Sequence, residues 1–129
     1  MRPTLWYWKD GTPAIPKGVR SGSKRWVKAI LEVEKKLADP EYKVIARSMF
    51  WWGGWISTVW LGLDQSWALS PRSKPIIFET MVFKPKSISD LDCLRHHTLR
   101  QAQIEHWRMY LKWSNPLLIW KMRRAIWTK

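Results

Sequence analysis

The chain has one cysteine, Cys93, and three histidines among 129 residues, so an intramolecular disulfide is excluded and structural zinc ligands are in short supply. No CxxC, HExxH or aspartate-rich loop occurs, and His96, His97 and His106 read as solvent-exposed side chains near a helix cap, with no metal. Gly-x-Gly-x-x-Gly and Gly-x4-Gly-Lys-Ser/Thr are both missing, which excludes a P-loop and a dinucleotide fingerprint as motif-based assignments and leaves no expected cofactor. Acidic residues are scarce as well: Asp and Glu number 10 against 23 Lys and Arg. Long apolar runs are absent. The stretches around Met49 to Trp60 and Leu117 to Trp120 fall short of the roughly 18 to 20 residues of a spanning helix, and the N-terminus has no uninterrupted apolar signal core. The expectation is a soluble protein in a reducing, cytoplasmic setting, with membrane association disfavoured.

What is present is charge and apolar mass together. The net charge of +13 favours anionic partners, and 46% hydrophobic residues are too many for a disordered basic tail. Charge is uneven: residues 1–28 carry +6, residues 29–105 carry +1 and residues 106–129 carry +6. The expected organisation is an irregular basic lead-in over 1–22, one α+β domain over 23–113, and a basic, Trp-containing C-terminal helix or tail over 114–129.

Ser23 is placed to cap a helix whose apolar residues Trp26, Val27, Ile30, Leu31, Val33 and Leu37 recur at spacings of three and four, and Asp39-Pro40 ends it. Tyr42 to Trp52 and Trp55 to Leu63 are β-prone runs separated by Gly53-Gly54, a hairpin signal. Ile76 to Phe83, bounded by prolines, reads as a third strand, with both faces largely apolar. Thr98 to Gln101 has capping-box spacing and opens a second helix to about Trp113, stopped by Asn115-Pro116. Leu117 to Trp127 predicts a short basic third helix. The fold expected is a three-stranded antiparallel meander with two helices on one face. Its other apolar face needs the terminal segments or a second subunit, and a homodimer is the default.

Ser57-Thr-Val-Trp-Leu-Gly-Leu-Asp64, followed by Pro75-Ile-Ile-Phe-Glu-Thr-Met-Val-Phe83, resembles a family of small tailed-bacteriophage proteins with STVWLGLD and PLIFETMVF runs. Asp10-Gly11-Thr12-Pro13 and the Thr98, Ala102, His106 spacing extend the likeness over about residues 6–113. The chain departs from the pattern at Gln65, where the family often has histidine, in the loop 66–74, and in the basic segment 114–129. The resemblance implies an accessory phage protein working in the host cytoplasm and assigns no chemistry.

Twelve tryptophans are the most unusual feature, and Trp51, Trp52, Trp55, Trp60 and Trp67 crowd the hairpin and the loop after it. Indoles beside cations can stack bases while Lys and Arg take phosphates, but on strands they more often fill a core or an oligomer interface. Glu79 sits in an apolar strand and needs a partner if buried, Arg47 being one option. With Asp64 and His106 it could form an acid–base set, though the sequence provides no geometry for one. The leading expectation is a non-catalytic counter-defence protein that captures a phosphate-bearing nucleotide, a host immune signal among them. Trp67 and Trp60 would stack, Arg72 and Lys74 would hold phosphate, and Asp64, Glu79 and His106 would bond ribose or base. The alternative is a single-stranded nucleic-acid-binding protein using exposed tryptophans and the basic ends, Arg20, Lys24 and Arg25 with Lys121, Arg123 and Arg124. A further alternative is an inhibitor that docks on a host protein.

Overall fold

The computed structural model describes residues 6–66 and 74–127. Ser23 Oγ accepts the Trp26 N–H at 3.2 Å and so satisfies one of the amides that a helix start leaves without a partner. Helix α1 (Lys24–Leu37) follows, burying Ala29 and Val33. Asp39 then caps a single turn, α2 (Pro40–Lys43), through the Glu41 N–H at 3.0 Å, with Pro40 at the first helical position, where its missing N–H costs nothing.

Strands β1 (Val44–Met49) and β2 (Trp55–Trp60) form the expected hairpin. Gly53 takes a φ of 94° there, and the Phe50 amide closes on the Gly54 carbonyl at 2.8 Å. Strands β3 (Phe78–Phe83) and β4 (Asp90–His96) complete an antiparallel sheet in the order β1-β2-β3-β4. The α+β class and the meander therefore stand, but the sheet has four strands where three were expected. The fourth carries Asp90, Asp92 and Arg95 with only two leucines, so its composition reads as loop. Charge of this kind is what protects an edge strand from pairing with another chain.

Thr98 opens helix α3 (Leu99–Ser114): its Oγ1 accepts the Gln101 N–H at 3.1 Å, and Gln101 Oε1 accepts the His97 N–H at 2.9 Å. This is the expected capping box with the return bond displaced one residue outward. The predicted C-terminal helix is two short ones, α4 (Pro116–Lys121) and α5 (Arg123–Trp127), broken at Met122.

Helix α3 crosses the sheet on one face and turns Ala102, His106, Met109 and Trp113 inward. The strand register lays three rows beneath it: Ile56 opposite Val82, Thr58 opposite Thr80, and Trp60 opposite Phe78. The outer rows anchor two apolar clusters. Phe50, Trp52, Ile56, Val82, Met109 and Trp113 gather with Ile119 of α4 and Ile126 of α5. Tyr7, Ala14, Val33, Trp60, Ile77, Phe78 and Ala102 form the second. The middle row is polar. Each end of the chain thus supplies core: burial of Ile119 and Ile126 removes from water side chains worth roughly 1.5–3 kcal/mol each.

The reverse face carries Trp55, Ser57 and Val59 of β2 and Glu79, Met81 and Phe83 of β3. Trp55 and Phe83 stack across the strands at 4.0 Å between ring centroids, and the Arg47 guanidinium lies 5.3 Å from the Trp55 ring. None of the described helices packs on this face.

Candidate nucleic-acid interface

Among the described residues, those expected around a nucleotide are not all brought together. Trp60 is fully buried and donates its indole N–H to the Tyr7 carbonyl at 2.9 Å, which makes it core. Asp64 is buried, and its Oδ1 accepts the Ser66 and Ile76 amides at 2.8 and 2.9 Å, so it clamps the two ends of the loop between them. Glu79 stands on the reverse face of the sheet, bonded to Arg95 of β4 at 3.0 Å; Arg95, and not Arg47, is its partner. His106 is buried on the α3 face between Ser48 and Thr58. Glu79 and His106 are therefore separated by the sheet itself, and no Asp/Glu/His set forms. Trp67 and Arg72 lie outside the described residues.

The histidines also differ from expectation. His96 is 1% exposed and His106 is fully buried, because the polar middle row of the sheet gives each a hydroxyl partner. His97 is half-buried and donates its Nδ1–H to the Pro75 carbonyl at 3.1 Å. Burial pushes Cys93 up to about 11, with the Glu79 carboxylate adding to the effect, so its thiol stays protonated at neutral pH and is a poor nucleophile. Among the described residues, no three of His, Cys, Asp and Glu converge on a metal site.

Of the expected ligand residues that the structure describes, Lys74 lines an open cavity. This cavity, of about 380 Å³, is bounded by Lys74, His97, Thr98, Arg100, Gln101, Ile104, Glu105 and Arg108. Local structure explains the assembly. The His97 bond to Pro75 brings the segment before β3 against the start of α3, and the four-residue spacing of Arg100, Ile104 and Arg108 lines them along one side of that helix. Lys74, Arg100 and Arg108 thus share the cavity with one acid, and Arg108 Nη1 already donates to Glu105 Oε1 at 2.9 Å. The positive end of the α3 dipole lies at the same place.

Next to Arg108 on the outer face of α3, Trp107 is 53% exposed. Its ring meets His106 and Tyr110 edge to face, at 5.0 and 5.6 Å. Ile104 and Leu111 are exposed on the same helix, so an apolar strip runs between Arg100, Arg108 and Lys112. Guanidinium forks and an ammonium suit phosphate oxygens, and an indole suits the face of a base. Sequence reading missed Arg100 and Arg108, although their eight-residue spacing on a predicted helix was a usable signal.

The basic residues expected to track a nucleic-acid backbone are exposed. Arg20, Lys24 and Arg25 surround the start of α1, and Lys121, Arg123 and Arg124 stand on α4 and α5. The Arg123 guanidinium covers the exposed Trp120 ring at 3.9 Å. Among the described residues, no helix is long and apolar enough to cross a membrane. No family model matches the chain, and neither a curated protein nor a solved structure matches it.

Proposed function

We propose that the protein binds single-stranded nucleic acid along α3, with phosphates held by Lys74, Arg100 and Arg108 and a base stacked on Trp107. The observation that carries this reading is the cavity at the start of α3, where three cations meet one acid already engaged by Arg108, beside an exposed indole. A cavity that encloses a mononucleotide is mostly apolar with a few placed polar groups. Here the walls are charged and polar apart from Ile104, which suits a backbone passing over an open surface. The resemblance of Ser57–Asp64 and Pro75–Phe83 to small tailed-phage proteins supports a setting: an accessory, non-catalytic protein in the host cytoplasm that sequesters a phosphate-bearing ligand in counter-defence. The partly apolar reverse face of the sheet suits the packing of a second copy.

Fluorescence anisotropy of a labelled 20-nucleotide oligo-dT across a salt series tests the reading. Lys74→Ala and Arg100→Ala should each lower the slope of log K against log salt by about 0.7. Trp107→Ala should weaken binding by about 1–3 kcal/mol with the slope unchanged. Absence of binding at low salt overturns the proposal. Equal affinity for a mononucleotide would return the site to nucleotide capture.

A further inference from the structure

Between the two apolar clusters, five side chains form one hydrogen-bonded line that draws on all four strands and α3. Ser48 Oγ lies 3.2 Å from His106 Nε2, and His106 Nδ1 lies 2.8 Å from Thr58 Oγ1. Thr58 Oγ1 is 2.6 Å from Thr80 Oγ1, which is 2.8 Å from His96 Nε2. The line stops there. His96 Nδ1 is buried and finds no hydrogen-bond partner among the described residues.

Counting hydrogens decides how this line is polarised. With both imidazoles neutral, the three hydroxyls and two rings bring five hydrogens to four links, so one is left over at an end. If His96 donates through Nε2 and the polarity runs toward Ser48, the spare hydrogen sits on the half-buried serine and His96 Nδ1 is a bare lone pair. The opposite polarity leaves a buried N–H without an acceptor, the rarer and costlier defect. A sixth hydrogen has no place in either case. When His106 is protonated it must donate to Thr58 as well as to Ser48. Thr58 then donates to Thr80, Thr80 donates to His96, and His96 is forced into the orphaned Nδ1–H form.

We propose that this line is an acid-sensitive latch: it holds α3, and the cationic cavity that α3 carries, on the sheet while both imidazoles are neutral, and it fails when either gains a proton. The part that concerns the cavity rests on the nucleic-acid reading above; the latch itself does not. The charged groups around it are few. Glu105 on α3, Glu79 on β3 and the neighbouring His97 act on His96, and burial outweighs the two carboxylates to hold it below the ordinary imidazole value. Among the described residues, His106 hydrogen-bonds the hydroxyls of β1 and β2 and faces the Trp107 ring edge-on, and burial lowers it. Below about pH 6.5 the unfolded chain therefore takes up protons that the fold refuses, and stability falls with pH.

Urea denaturation of the full chain from pH 8 to 5 tests this. The unfolding constant should be flat above pH 7 and then rise by between tenfold and a hundredfold per pH unit as one or two protons are taken up. A flat profile between pH 7.5 and 5.5 overturns the latch. His96→Gln with His106→Gln should abolish the rise. Should that variant not fold, NMR titration of the wild type decides: the His96 and His106 rings should take up protons below the ordinary imidazole value and only together with loss of the α3 contacts to the sheet, and titration of both near 6.5 in the folded protein overturns the proposal. Oligo-dT binding should be weaker at pH 5.5 than at pH 7.5, against the trend that added positive charge produces. Unchanged or tighter binding at pH 5.5 overturns the link to the cavity, and no binding at either pH sinks the nucleic-acid reading while the stability profile still judges the latch.

Discussion

The Trp113 indole donates to Asp92 Oδ2 at 2.9 Å and ties α3 to β4. Lys112 Nζ reaches the same oxygen at 3.0 Å, and Asp92 Oδ1 accepts the Cys93 amide at 2.9 Å. Burial pushes this carboxyl upward, but the bonds from Trp113 and Lys112 outweigh it and hold Asp92 below the ordinary carboxylate value. A carboxyl depressed in the fold contributes stability above its unfolded value and loses it as pH falls from about 4 toward the folded value. Asp92→Asn should therefore cost about 1 kcal/mol at pH 7 and less at pH 3. Urea titrations at the two pH values check it, and an equal loss at both would show that the charge is not what matters.

Asp92 also marks where the sequence stopped being legible. The first three strands could be read because Gly53-Gly54 and the prolines around Ile76–Phe83 punctuate β-prone runs, and both long helices because Ser23 and Thr98 stand as caps before periodic apolar residues. Strand β4 could not, since its inward positions include Asp92 and His96, whose partners Trp113 and Thr80 are 21 and 16 residues away in sequence. The same holds for the site. Lys74 was visible as a cation, but its meeting with Arg100 and Arg108 depends on the His97 contact with Pro75, which no local pattern encodes. Likewise Thr58 and Thr80 look like ordinary strand threonines until the register sets them opposite one another beneath His106.

Gly54 is required for a packing reason. A Cβ placed there would overlap the Trp52 ring and lie 2.7 Å from the Phe83 carbonyl oxygen. Trp52 has little room to move, because its indole N–H donates to the Trp113 carbonyl at 2.8 Å and its ring stacks on Phe50 at 5.0 Å. Gly54→Ala should cost about 1–3 kcal/mol, the usual range for overpacking, and thermal denaturation measures it. A variant as stable as the wild type would mean that the hairpin shifts at little cost.

Thr58 and Thr80 form the middle of the buried line, so their replacements should not be independent. Thr58→Val keeps the shape but strips His106 Nδ1 of its partner, and Thr80→Val does the same to His96 Nε2, each costing about 1–3 kcal/mol. The double variant also unites the two apolar clusters and forfeits the 2.6 Å bond once, not twice. Its loss should be smaller than the sum of the single losses by at least about 0.5 kcal/mol. Additive losses in a double-mutant cycle would mean that the hydroxyls act separately.

The C-terminal segment combines core and charge, and the two can be separated by choice of residue. Deleting residues 117–129 would remove Ile119 and Ile126 from the cluster around Trp52, so weaker binding after deletion says nothing about the basic side chains. Ile126→Ala alone should cost about 2–4 kcal/mol in urea, with oligo-dT affinity unchanged under native conditions. Gln in place of Lys121, Arg123 and Arg124 should move stability by about 0.5 kcal/mol or less per residue, since all three are exposed. If the bound strand runs from α3 over this surface, the triple replacement lowers the salt slope by about 2, one phosphate contact per cation. An unchanged slope confines the interface to α3 and leaves Trp120, beneath the Arg123 guanidinium, outside it.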